Sequence, residues 1–449
     1  MTQNVNWPRV VVVGGGFAGL NAAKSLAHAP VRVTVLDRKN HHTFQPLLYQ
    51  VALAVLSPAE IASPIRNVLR RGKNTEVLLG EVTGFDLQKR LVHTRDLDLS
   101  YDYLIVAAGA THAYFGHPEW EHYAPGLKTI EDATTIRGRV LLAFERAERE
   151  TFAHRATPPL NFVVIGAGPT GVELAGAISD ISHHYIESDF RNIDPSKARI
   201  ILLEGGPRVL PAYPPDLSSS AEKQLREMGV EVRTNAMVTN VEPGLVSVGG
   251  EKIPASVILW GAGVSASPLG RMLGGDIDKA GRVLVEPDLS MPGRPEVFVI
   301  GDLAAVRWER QGSEPKANVI VSDRDKDKPG SLVPGVAPAA IQMGKFAARQ
   351  IKLSVQNKRR ETFHYRDKGS LATIGRSRAV ADFGRLHISG YFAWVSWLSI
   401  HLFFLIGFRN RIMVVAEWAW AYITYNHGAR LITEPRATAA EERPKARAG

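Results

Sequence analysis

The chain has 449 residues, 45% of them hydrophobic and 22% charged, with a formal net charge of +9 and no cysteine. That length and composition exclude both a disordered chain and a single small core, and predict two or three domains. The missing cysteines exclude structural disulfides, thiolate-held iron–sulfur clusters and any dithiol relay, so redox chemistry here needs a bound organic cofactor.

Met1 to Trp7 is polar and leads straight into a strand, which predicts no secretory signal peptide and retention in the cytoplasm. Arg9 to Val13 is a β-branched run that ends in Gly14-Gly15-Gly16-Phe17-Ala18-Gly19. Helix formers follow over Leu20 to Leu26, then a second apolar strand, Val31 to Leu36, closed by Asp37. In this G-x-G-x-x-G setting the first glycine allows the tight turn and the second lets the backbone approach a pyrophosphate. The third permits close helix–strand packing, and the helix N-terminus stabilises the negative charge. Asp37 lies 18 residues after Gly19, near the spacing of a carboxylate that accepts from ribose hydroxyls. His41 and His42 are adjacent with no third ligand at a recognisable spacing, so no metal is expected.

Tyr103 to Ala110 reads YLIVAAGA, a strand ending in small residues. The opening pattern then recurs 152 residues on: Phe162 to Ile165 leads into Gly166-Ala167-Gly168-Pro169-Thr170-Gly171, a helix from Val172, and the strand Arg199 to Leu203 closed by Glu204. Such a duplication says more than either copy. Glu204 is further along than the usual ~20 residues, and the polar segment Glu187 to Ala198 supplies the excess. An acid there repels a 2′-phosphate and favours NADH over NADPH, while Arg208 pulls the other way. Near residue 297 the strand VFVIGDLA ends in Gly301-Asp302, a second acidic turn that completes the first site. One site per cofactor predicts FAD at the first turn and a nicotinamide at the second.

Arg307 to Gly330, with the run SDRDKDK, reads as an exposed insertion. From Tyr391 the composition turns to Trp, Phe, Leu and Ile. Tyr391 to Phe408 is an 18-residue stretch without Asp, Glu, Lys or Arg. As one helix it would cover roughly 27 Å, the lower threshold for a membrane span. Arg409 and Arg411 follow, suited to phosphate headgroups, and Trp394, Trp397, Trp418 and Trp420 favour a bilayer interface. The next segment, Ile412 to Tyr425, contains Glu417 and is too short to span. A single span, a buried core or dimer helix, and a pair of helices lying in one leaflet compete; the last accounts for both segments. The basic balance suits an anionic membrane surface, and no basic run interleaved with aromatics points to nucleic acid. Residues 434–449 are Ala/Glu/Arg/Pro-rich and are predicted to be a disordered tail.

More specific than the glycine turns are Asn40 to Gln50 (NHHTFQPLLYQ), Ala107-Ala108-Gly109, Gly168 to Gly176 (GPTGVELAG), Trp260 to Val264 (WGAGV) and Asp367 to Gly375 (DKGSLATIG). With these motifs the chain resembles the type II NADH dehydrogenases over about residues 8 to 430. These are flavoproteins with two dinucleotide-binding domains, related in fold to glutathione reductase. The resemblance implies an α/β fold of two Rossmann-like domains plus a C-terminal membrane-associating helical segment. The expected boundaries are 8–118 and 281–350 for FAD, 119–280 for NADH, and 351–433 for membrane anchoring.

The resemblance further implies that Gly14, Gly16, Phe17, Ala18, Gly19, Asp37, Arg38, Val82, Ala108, Gly109 and Asp302 hold a non-covalent FAD. Thr43 and Gln45 would line the flavin, and Gly166, Gly168, Thr170, Gly171, Glu204 and Gly263 would hold NADH. Where the family carries Ala-Gln-x-Ala-x-Gln beside the quinone, this chain reads Ala337-Pro338-Ala339-Ala340-Ile341-Gln342. Pro338 has neither a side-chain amide nor a backbone donor, which leaves the polar role to Gln342. Glu173 is the candidate proton donor to quinone or, alternatively, a group that positions nicotinamide. Lys368 would stabilise the anionic reduced flavin or serve as an ordinary ion-pair partner.

The implied function is transfer of two electrons from NADH through FAD to a membrane quinone, without proton pumping. The enzyme would sit peripherally on the cytoplasmic side of the cell membrane through residues 391–425, with a homodimer left open. Two rivals share the nucleotide sites: a soluble ferredoxin- or rubredoxin-type flavin reductase, which does not need the aromatic C-terminus, and a non-catalytic NADH-binding scaffold. A sulfide:quinone oxidoreductase needs redox cysteines, and there are none.

Overall fold

The computed structural model describes residues 7–307, 332–424 and 429–433. The expected insertion therefore lies outside the described residues from 308 onward, as does the tail from 434. Contacts divide the chain into two units, one of residues 1–43, 62–113 and 264–368, the other of 44–61, 114–263 and 369–449.

The first unit is built on a six-stranded sheet in the order Ser290–Met291, Arg294–Val299, Tyr103–Val106, Arg9–Val13, Arg32–Asp37, Thr75–Leu79. All neighbours are parallel except the first pair. A parallel sheet is covered on both faces, which is why these strands read as continuous apolar runs. Helix α1 (Phe17–Leu26) follows the first strand and packs on the helix Ala337–Val355. Their approach depends on Gly344, where an added Cβ would overlap the carbonyl of Ala18. α1 begins at Phe17, earlier than the Leu20 expected, because Gly16 already serves as its N-cap.

The second unit carries a four-stranded parallel sheet in the order Val230–Arg233, Arg199–Leu203, Asn161–Ile165, Val257–Trp260. α2 (Pro169–Asp180) and α3 (Pro215–Glu227) belong to it. A separate antiparallel sheet, Ser370–Gly375, Arg378–Asp382 and His387–Ser389, backs onto α2. The contact is tight: a Cβ on Gly176 would overlap the carbonyl of Ile374.

Four expected boundaries are corrected by this packing, the smallest being that residues 114–118 join the second unit. Residues 44–61 join the second unit because the helix Leu48–Ala52 packs against α2 and the helix Ile130–Phe152. Residues 264–280 join the first, where Val264–Ala266 pairs with Ala110–His112. The C-terminal region is not a separate appendage. Residues 351–368 belong to the first unit and 369–433 to the second, where α4 (Tyr391–Phe404) buries Ala393 against Ala379 and Ala381.

The apolar stretch from Tyr391 is not one helix either. α4 ends at Phe404, Leu405 is extended, Gly407 takes φ +95°, and α5 runs from Phe408 to Thr424. Arg411 holds the break by donating to the carbonyls of Phe403 (2.8 Å) and Leu405 (2.9 Å). It thus satisfies carbonyls at the C-terminal end of α4. No helix among the described residues is long and apolar enough to cross a membrane.

Candidate functional site

In the first unit Gly14 adopts φ +100° and a Cβ on it would overlap the carbonyl of Ala107. A Cβ on Gly19 would overlap the carbonyl of Gly14, so the third glycine is what lets α1 descend onto the turn. A Cβ on Gly16, by contrast, meets nothing within 4 Å. The turn is thus closed on its protein side and open in front of the helix N-terminus, which fits a dinucleotide diphosphate. Asp37 accepts from the N–H of Gly15 at 2.5 Å and of Lys39 at 2.7 Å, which fixes the carboxylate at the edge of the turn. Phe17 opens α1 with its ring edge-on to His42, and Ala18 is buried beneath it. Ala108-Gly109 and Gly301-Asp302 follow the C-terminal ends of the two strands beyond Arg9–Val13, so the expected FAD residues gather at one edge of the sheet. Arg38 is exposed just past Asp37, and Val82 opens a separate antiparallel hairpin. Thr43 ends a short strand of the first unit; Gln45 belongs to the second, its amide donating to the carbonyl of Lys128 (3.3 Å).

His42 has a role that sequence reasoning missed. Buried, with its basicity lowered to a pKa of about 4 by desolvation, it stays neutral and places Nδ1 3.1 Å from the carbonyl of Gly15. It braces the glycine turn from behind, a contact made by residues 27 apart with no sequence signal.

The second turn repeats the first. Gly166 takes φ +94° and a Cβ there would overlap the backbone at Ala262. A Cβ on Gly171 would overlap the carbonyl of Gly166, and one on Gly168 meets nothing within 4 Å. Pro169 occupies the first helical position, where its missing N–H costs nothing, and Thr170 follows it in the open first turn. Glu204 accepts from Ala167 (2.7 Å) and Gly206 (2.8 Å), the counterpart of Asp37. Gly263, at φ +157°, packs close to the ring of Phe115. Arg208 donates to the carbonyls of Tyr213 and Pro211, both at 2.8 Å, so it is engaged away from the role that left NADPH open.

Also within the second unit is a cavity of about 490 Å³ whose wall includes Tyr49, Glu173, Trp394, Leu398, Trp418 and Tyr422. A polar relay links two of its sides: Trp418 Nε1 donates to Gln50 Oε1 (2.7 Å), and Gln50 Nε2 donates to the hydroxyl of Tyr49 (2.8 Å). Glu173 lines this cavity from α2, and among the described residues no hydrogen bond reaches its carboxyl group. Burial pushes its pKa up to about 8. Asp180, two turns further on the same helix face, is pushed up by burial to about 6 even though the N–H of Arg376 donates to it at 2.9 Å. The sequence assigns no role to Gln50, Asp180 and Arg376. Trp418, expected at a bilayer interface, instead donates into this relay, and Trp397 is buried. These groups come together only through tertiary packing.

The other two candidates stand elsewhere. Pro338 lies in the first turn of Ala337–Val355, where a proline is tolerated. Gln342 spends both ends of its amide on Arg366, donating to its carbonyl (2.9 Å) and accepting from its N–H (3.0 Å). That engagement braces the segment leading to Lys368 and occupies the amide from which a polar role toward quinone was expected. Lys368 closes the first unit and has an interaction partner of its own.

The pyridine nucleotide-disulphide oxidoreductase family model matches residues 8–344, and the NDH2 C-terminal domain model matches residues 368–425. The chain is 46% identical over 443 residues to the type II NADH:quinone oxidoreductase NdhA of Mycobacterium tuberculosis, covering 95% of this chain and 89% of that one. It is 44% identical over 447 residues to Ndh of the same organism, covering 96% and 91%. Among solved structures it is similar to NDH2 of Plasmodium falciparum in complex with NADH, at a TM-score of 0.81 and 20% identity over 95% of this chain and 100% of that one. The sulfide:quinone oxidoreductase of Aquifex aeolicus matches at 0.70 and 17% identity over 93% and 95%. At those identities the structures share the fold alone.

Proposed function

The chain belongs to the type II NADH:quinone oxidoreductases, and on that premise we propose that the apolar cavity walled by α2, α4 and α5 is where its quinone is reduced. The enzyme transfers two electrons from NADH through FAD to quinone. NADH, one proton and a quinone become NAD⁺ and a quinol. When bound, FAD supplies the redox centre that separates hydride oxidation from quinone reduction. In our reading the chain itself orients and supplies protons. The Gly14 and Gly166 turns present helix N-termini to the two diphosphates, and Asp37 and Glu204 face the riboses. Glu173, still protonated at neutral pH, gives a proton to an oxygen of the quinone as it is reduced and regains one from solvent. A soluble ferredoxin-type reductase or a scaffold leaves this lipophilic cavity unexplained.

The observation that carries the site is an apolar cavity lined by two desolvated carboxyl groups, of which Glu173 is pushed further up in pKa than Asp180. Filling it tests the reading. Leu398→Trp is expected to raise the KM for a short-chain quinone at least tenfold while NADH still bleaches the bound flavin at the wild-type rate. An unchanged KM places the quinone elsewhere.

Nucleotide choice is attributed to Glu204. Its neutral variant Glu204→Gln is expected to narrow the preference for NADH over NADPH, as a kcat/KM ratio, by about tenfold through loss of like-charge repulsion. No change in the ratio would reassign the discrimination.

The family is membrane-associated, and we assign the contact to the exposed apolar residues of α4 and α5, in a peripheral attachment facing the cytoplasm, where NADH is available.

A further inference from the structure

The polar relay on the wall of the apolar cavity has a direction, and its donor-only member sets it. An indole N–H cannot accept a hydrogen bond, so Trp418 Nε1, 2.7 Å from Gln50 Oε1, settles which end of the Gln50 amide is the oxygen. The amide nitrogen is thereby committed to Tyr49 and donates to its hydroxyl at 2.8 Å. Having accepted that bond, the hydroxyl must give its own proton elsewhere. Gln50 does not take it, because its oxygen faces Trp418. Thr373 adjoins the hydroxyl and has spent its own O–H on the carbonyl of Arg378 (3.3 Å), so it receives and does not give. Tyr49, Gln50, Thr373 and Glu173 all line the same cavity, and the charge of Glu173 acts on the Tyr49 hydroxyl. The Tyr49 proton is therefore left with two acceptors, Thr373 or an oxygen brought into the cavity. Burial above all holds the hydroxyl far above the ordinary tyrosine pKa, which makes it a donor that keeps its proton.

We propose that the Tyr49 hydroxyl donates the hydrogen bond that holds one carbonyl oxygen of the quinone, with Gln50 and Trp418 as positioning residues that aim it. This rests on the cavity being the quinone site. Quinone binding exchanges the Thr373 oxygen for the quinone oxygen as acceptor, and no covalent bond forms or breaks at Tyr49. The hydrogen bond strengthens as reduction places negative charge on that oxygen, while the proton that completes the quinol comes from Glu173. Trp418 belongs to α5, which also carries the exposed Trp420 and Ile423. The aim of Tyr49 therefore depends on α5 being docked against Gln50.

The test uses FAD-loaded enzyme. Tyr49→Phe keeps the ring beside Trp397 and removes only the hydroxyl. Its kcat/KM for a short-chain quinone is expected to fall about tenfold, the scale of one hydrogen bond to a reacting oxygen, while NADH bleaches the flavin at the wild-type rate. The alkaline limb at about pH 8 should remain, since it belongs to Glu173. Trp418→Phe is expected to lower kcat/KM about threefold on its own and to add nothing to Tyr49→Phe, because the indole acts only through the hydroxyl. One measurement needs no variant. A short-chain quinone labelled with a heavy isotope at its carbonyl carbons, bound to the oxidised enzyme, should show one carbonyl stretch lowered in infrared difference spectra. An unshifted carbonyl in the wild type, or an unaltered kcat/KM in Tyr49→Phe, overturns the inference. Additive losses in the double variant overturn the positioning role of Trp418. If Leu398→Trp leaves the quinone KM unchanged, the cavity reading itself fails. A raised KM in Leu398→Trp beside an indifferent Tyr49→Phe overturns the Tyr49 assignment alone.

Discussion

Glu173→Gln is expected to lower quinone-dependent kcat about 100-fold, the scale of a lost general acid, while NADH continues to bleach the flavin. The amide keeps the shape and can donate a hydrogen bond, but it has no proton to give. The pH profile sharpens the test. With burial holding the carboxyl group near a pKa of 8, the wild type retains its proton at pH 7 and loses it as pH rises through about 8. Quinone-dependent kcat should therefore fall above that pH, and the alkaline limb should be missing from the variant. Stability also falls with rising pH, over a lower window. Between the ordinary value of 4.5 and about 8 the unfolded chain has released this proton and the folded one has not, so stability falls as pH rises through that window. Glutamine removes the slope. The variant should be more stable at pH 7 by on the order of 2 kcal/mol, allowing for the side chain being partly open to the cavity, read as a raised Tm. A variant with full turnover and an unaltered pH profile would show that the proton travels by another route.

The parts of this site that were legible in the sequence are those a local rule dictates. Gly14, Gly16 and Gly19, and again Gly166, Gly168 and Gly171, were readable because a turn with positive φ and a helix descending onto it admit no side chain. Asp37 and Glu204 were readable because each closes the strand after the helix. Glu173 was found by motif, although the lack of a hydrogen bond to its carboxyl group among the described residues is a property of the fold. What local rules do not reach is packing between distant segments. The link from Trp418 to Gln50 spans 368 residues, and the arginine backbone N–H on Asp180 comes from 196 residues away. The apolar run from Tyr391 gave a helix-length signal without its break, since a lone Gly407 in such a run reads as tolerated. The carbonyls freed there find their donors only through the folding back of Arg411.

That broken pair of helices leads to the other large effect. Replacing Phe392, Phe403, Phe408 and Ile423 together by serine is expected to reduce partitioning onto vesicles at least about 1,000-fold. These side chains are 74%, 70%, 79% and 77% exposed, so they contribute little to the core and their loss should leave the fold intact. If each gains only ~1.5 kcal/mol on entering the acyl boundary, the four together account for about 6 kcal/mol, more than four orders of magnitude, and incomplete insertion lowers that to the stated figure. Removing the whole C-terminus is a poorer experiment, because Trp397 and Ala393 are buried in the second unit and deleting them opens its core. The surface variant separates attachment from chemistry. Turnover of a water-soluble quinone should persist, whereas turnover of a long-chain quinone confined to vesicles should fall with the partitioning. Long-chain activity that survives without attachment would mean that the cavity is reached from water, and that the exposed faces of α4 and α5 serve some other contact.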